Sequence, residues 1–122
     1  MAVAFDVRKR RDYVLVRDRE LPEDKRTTFI LRQLDVLERV RVADMKGVGL
    51  SPAAMALEML RLSLDGWRNY PMPDGSEAPF VKGSNGYADD NTLRCVSDAD
   101  AAELLAETLR AEEVTAKQAG ES

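Results

Sequence analysis

The sequence predicts a small α+β domain: short antiparallel β-strands carrying about three α-helices, packed as a single layer on a small sheet. Three observations point there. Two β-branched, apolar runs at residues 13–16 and 27–31 lie within one loop's reach of each other. A helix start, Ser51-Pro52, opens a leucine- and methionine-rich stretch, and a second start at Ser97 opens a leucine stripe. A chain of 122 residues supplies one core, so residues 13–110 read as one domain between a basic arm at 1–12 and a polar tail at 111–122.

The elements follow in order. The arm holds the run Arg8-Lys9-Arg10-Arg11 and reads as flexible and loosely held. Residues 13–16 form a strand; residues 17–26, charged and interrupted by Pro22, form a loop; residues 27–31 form a second strand, able to pair antiparallel with the first. From Asp35, the spacing of Val36, Leu37 and Val40 favours a short helix, although Val40 and Val42 also alternate with Arg39 and Arg41 as in a strand. Gly47 and Gly49 then mark residues 45–50 as a linker.

Ser51 is a natural N-cap and Pro52 fits the first helical position. Glu58, Arg61 and Asp65 recur three and four residues apart, so Met55, Leu57, Met59, Leu60, Leu62 and Leu64 occupy a wide arc. That predicts a central helix covered on most sides and ended by Gly66 in a left-handed conformation. Residues 67–80 carry three prolines around the turn signal Asp74-Gly75, which predicts an edge hairpin or structured loop, and residues 82–91 read as irregular. Ser97 with Asp100 three residues on opens the last helix, of about fifteen residues, whose apolar stripe is Ala101, Leu104, Leu105, Thr108 and Leu109.

The chemistry is bounded by what the chain lacks. It has no histidine, which removes the commonest general base and metal ligand together, and its single cysteine, Cys95, can form neither an internal disulfide nor a Cys/His zinc cage. Cys95 reads as a small core hydrophobe. Lys82-Gly83-Ser84-Asn85-Gly86 lacks the spacing of a phosphate loop, and Asp89, Asp90 and Asn91 lack the rest of a calcium-binding loop. No catalytic activity, cofactor or metal site is expected.

Net charge is −4, unevenly spread. Eight basic and five acidic residues lie between Arg8 and Arg26, whereas seven acidic and two basic residues lie from Asp98 onward. Nucleic-acid binding is not expected of an acidic chain without a docking motif. No apolar run is long enough to span a membrane, and the order of charge and apolarity at the N-terminus is not that of a secretory signal, so the expected place is the cytoplasm. Protein partners are the remaining class, with homo-oligomerisation a further expectation. Trp67 reads first as core and second as an interface anchor.

The stretch from Ala56 through Gly66-Trp67-Arg68-Asn69-Tyr70, then Asp74-Gly75, Pro79-Phe80 and the acidic helix at 101–109, resembles the small tail assembly chaperones of tailed bacteriophages. Residues 18–23 and 27–32 are likewise similar to the N-terminal extended segment of small phage morphogenesis proteins. The resemblance spans residues 13–110. It implies a non-catalytic protein of the host cytoplasm that covers the apolar helices of the tape-measure protein, or binds tail subunits, during virion morphogenesis. Met45, Met55, Met59 and Met72 would suit an adaptable face. The partner-binding residues expected on this reading are Trp67, Tyr70, Leu104, Leu105 and Leu109, with Arg8, Arg10 and Arg11 of the arm. A virion component (neck, connector or decoration protein) and a small inhibitor of a host factor are the alternatives.

Overall fold

Pairing of the first two strands begins in the basic arm. The computed structural model describes residues 10–49 and 51–120, and in it β1 spans Arg10–Val14 and β2 spans Thr28–Arg32, antiparallel, with Arg10 opposite Arg32 and Tyr13 opposite Phe29. The expected strand at 13–16 is therefore shifted towards the N-terminus, and residues 10–12 belong to the sheet. Charged residues are tolerated in β1 because each has a partner: Arg10 pairs with Asp65, Arg11 with Glu107 at 3.3 Å and Asp12 with Arg68 at 2.7 Å. Leu15 then turns inward and is fully buried, while Val16 starts a 3₁₀ turn. Arg8 and the rest of residues 1–9 lie outside the described residues.

The predicted helix after Asp35 is α1, Val36–Gly47, which takes in part of the expected linker. Helix α2 is Pro52–Ser63, with the Ser51 hydroxyl accepting from the Ala54 N–H at 3.2 Å. Gly66 does not end it. The chain leaves α2 at Ser63, whose hydroxyl donates back to the Met59 carbonyl at 2.8 Å, and Leu64–Arg68 forms β3 against β2. Gly66 lies opposite Ile30 beside a register irregularity, where a Cβ would come within 3.2 Å of Ile30 Cδ1. The glycine admits a neighbouring side chain instead of supplying a left-handed turn. The sheet order is β1-β2-β3.

Between β3 and the last helix, one turn is built twice. Pro71 bridges Glu77 and Lys82 bridges Ala88. In the first turn Gly75 N–H donates to Met72 O (2.9 Å) and Met72 N–H to Ser76 O (2.7 Å); in the second, Gly86 donates to Gly83 O (2.9 Å) and Gly83 to Tyr87 O (2.7 Å). Asp74 and Asn85 each accept from the N–H two residues on, and Gly75 and Gly86 take φ of +89° and +84°. Residues 82–88 are thus a second copy of the Asp74-Gly75 hairpin turn, eleven residues later, and not irregular loop. Asp89 caps a one-turn helix, α3, Asp90–Arg94, through the Thr92 N–H at 2.7 Å, so the aspartates expected in a loop start a helix.

Helix α4 runs Asp98–Gly120, well beyond the predicted fifteen residues and through most of the expected tail. Ser97 accepts from the Asp100 N–H at 3.2 Å, but the Ser97 N–H does not go to the Asp100 carboxylate. Tyr70 Oη takes the Ser97 N–H at 3.0 Å, and Asp100 instead accepts from Tyr70 at 2.8 Å and Arg17 at 2.6 Å.

The core lies where α2 and α4 cover the Tyr13–Phe29–Trp67 face of the sheet. Phe29, Tyr70 and Phe80 surround Trp67 edge-on, and the indole N–H donates to the Ala78 carbonyl at 2.8 Å. Leu104 is fully buried. Cys95 is half-buried against this core. Helix α2 is less enclosed than predicted, since Leu57 on its outer side is 48% exposed.

Candidate protein-docking surface on helix α1

Helix α1 carries charge on its inner side and apolar groups on its outer side. Its one fully enclosed described side chain is Glu38, 4% exposed, whereas Val36, Leu37 and Val40 are 68%, 76% and 52% exposed. Val48, one residue past the helix but still hydrogen-bonded to the Asp44 carbonyl, is 76% exposed. Large exposed apolar side chains on consecutive turns of one helix face are unusual and mark a binding surface more often than chance.

The inner side explains why. Asp35 and Glu38 form a reciprocal cap: Glu38 N–H donates to Asp35 Oδ1 at 2.8 Å and Asp35 N–H to Glu38 Oε1 at 2.9 Å. Glu38 also receives both arms of Arg32, at 2.8 and 2.5 Å, and Arg32 lies over the Tyr87 ring. Arg39 reaches Glu112 on α4 at 2.8 Å, and Arg41 lies 2.7 Å from Glu58 on α2. These polar contacts hold α1 against the domain with Val42 half-buried beside them, and Val36, Leu37 and Val40 are left outward. Along the outer side a shallow depression of about 360 Å³ is lined by Leu37, Val40, Arg41, Asp44, Met45 and Val48.

Burial opposes the charge on Glu38, but hydrogen bonds from Arg32, the Asp35 N–H and the Tyr87 hydroxyl, with the Arg32 charge, outweigh it and hold the carboxyl at about 2. A folded-state value below the unfolded one means that the pair contributes its full stability above the ordinary carboxyl range, and loses it as pH falls towards about 2. Asp65 and Asp100 are also held low, by Lys82 and Arg10 and by Arg17 and Tyr70 against opposing burial, and share this acid slope. Urea midpoints followed from neutral pH downwards should fall in acid, and less steeply in Glu38→Gln. Parallel slopes would remove Glu38 from the titration.

The residues expected to bind a partner lie elsewhere. Trp67, Tyr70 and Leu104 are buried, Leu105 is half-buried, and Leu109 is 48% exposed on α4. Arg10 and Arg11 are engaged with Asp65 and Glu107. Met45, Met55 and Met59 are half-buried and do not form one exposed face with Met72. Sequence reading missed the α1 stripe as a surface; the signal was Asp35-x-x-Glu38, a cap whose acidic member must turn inward, with Leu37, Val40 and Val48 off that side.

A polar cleft of about 480 Å³ lies between the 17–26 loop and the first repeated turn, lined by Arg17, Asp18, Lys25, Asn69 and Glu77 among others. Its architecture is structural. Asn69 takes φ +58°, and its amide donates to the Asp24 and Arg26 carbonyls at 3.0 and 3.3 Å, tying β3 to the loop. Among the described residues, no three His, Cys, Asp or Glu side chains converge as a metal-holding group, and no helix is long and apolar enough to cross a membrane.

Comparison with protein-family models, with curated proteins and with solved structures gives no match.

Proposed function

We propose that the protein is a non-catalytic binding domain of the tail-assembly-chaperone type, which covers an apolar helical segment of a tape-measure or tail protein with the outer side of α1. The observation that supports this reading is the inverted helix: a buried Arg32–Glu38 pair on one side and exposed Leu37, Val40 and Val48 on the other. A partner helix with its own apolar stripe fits such a face, and both surfaces leave water together.

The test is co-expression of the chain with a phage tape-measure protein. The wild type should keep that protein soluble and co-purify with it, while Leu37→Glu, with an unchanged urea midpoint, should lose at least about tenfold in affinity. Equal binding by Leu37→Glu would overturn the assignment of α1. A chaperone should also be absent from finished particles; a fixed copy number there would make the protein a virion component.

A further inference from the structure

The outer side of α1 is symmetric about its own midpoint. Leu37, Val40, Arg41, Asp44, Met45 and Val48 fall within roughly 140° of arc at about 100° per residue. Read from either end, the order is the same in character: two apolar residues, a charge, the opposite charge, two apolar residues. Turning a second α1 antiparallel about a point between Val42 and Ala43 sets Leu37 against Val48 and Arg41 against Asp44, each pair occurring twice, while Val40 and Met45 line the two flanks, each beside its own symmetry mate. A two-fold interface requires this self-complementarity, in which a residue meets its symmetry mate's partner and the mate returns the contact.

We propose that a second copy of this chain occupies the α1 surface, forming an antiparallel, two-fold α1–α1 dimer. Charge complementarity selects this occupant and this orientation. In a parallel pair about the same face Arg41 would meet Arg41 and Asp44 would meet Asp44; the antiparallel pair replaces two repulsions with two attractions and opposes the helix dipoles. Arg41 keeps its ion pair with Glu58 and can still face a second copy. Its side chain is 53% exposed, and its approach to Glu58 is an ion pair without hydrogen-bond alignment, Glu58 Oε1 having no aligned donor among the described residues. A helix of twelve residues is about 18 Å long, which makes a smaller contact than a standard permanent interface, so the dimer is reversible and concentration-dependent. The surface is the one assigned above to a partner, but the inference rests on the symmetry of the stripe and not on that function. In the cell the two associations would compete, and dimerisation would shield the stripe until a partner displaces the second copy.

Sedimentation equilibrium of the full chain tests this directly. The wild type should approach twice its 13.6 kDa protomer mass as concentration rises. Arg41→Asp and Asp44→Arg should each dimerise at least about tenfold more weakly, because like charges then face each other twice. An equimolar mixture of the two variants should form the dimer again, since every facing pair in it is opposite in sign, and the double variant should self-associate as the wild type does. Leu37→Glu, which leaves Glu58 and Arg41 in place, should be monomeric and provides the test should Arg41→Asp lose its fold. A wild type of protomer mass up to about 1 mM, single variants that dimerise as tightly as it does, or a mixture that stays monomeric would each overturn the dimer. A monomer that still keeps its partner soluble would overturn the dimer and leave the proposed function standing; a dimer indifferent to any tail protein would do the reverse.

Discussion

Replacing Arg32 with leucine is expected to destabilise the domain by about 3–5 kcal/mol, since it leaves the Glu38 carboxylate enclosed without its counter-charge. Both side chains are 5% exposed and joined by two hydrogen bonds, so neither can recover its hydration by a small movement. The double change Arg32→Leu, Glu38→Leu should restore most of the loss, because apolar groups of similar volume need no counter-charge there. Urea unfolding of the three variants decides the matter. A single-variant loss of less than about 1 kcal/mol would mean that the pair behaves as a solvated surface bridge. The damage should be local before it is global: Glu38 joins the cap of α1 to the last residue of β2, so hydrogen exchange should rise first along 36–47.

Trp67→Ala should cost about 3–5 kcal/mol, through the cavity left among Phe29, Tyr70 and Phe80 and the loss of the donor to the Ala78 carbonyl. Trp67→Phe keeps much of the ring contact and removes the donor, so the difference between the two variants separates packing from the hydrogen bond, the latter worth about 1 kcal/mol. Urea midpoints by circular dichroism report both. An unchanged midpoint in Trp67→Ala would show that the β3 side chain is not in the core.

Much of this architecture was legible in the sequence, for identifiable reasons. Ser51-Pro52 and the β-branched runs act through local backbone preferences, and those elements stand close to where such preferences put them. The failures lie where a distant residue decides. Gly66 has the look of a helix stop, but Ile30, brought alongside by strand pairing, fixes its role. Charge in Arg10, Arg11 and Asp12 argues for solvent, yet Asp65, Glu107 and Arg68 lie opposite. The candidate surface was hidden in the same way. Apolar residues in α1 suggest an inward side, and only the buried partner of Glu38, supplied by β2, turns that side outward. Tyr70, too, has a role that spacing alone could not show: it closes the start of α4 by taking the Ser97 N–H.

The twin turns at 71–77 and 82–88 give the molecule a modular edge. Each is closed by its own backbone bonds and its own Asp or Asn bracket; Ala78 and Ala88, the small residues at their exits, are buried, and Tyr87 of the second turn meets Arg32. Pro73 and Ser84, the tip residues that supply no bond to either turn, are thereby decoupled from the fold that carries them. Either position can be rewritten, or used by an experimenter to attach a fluorophore, while the same set of bonds closes the frame around it. The duplication makes this edge a natural handle: one tip can be altered while its neighbour serves as the internal control.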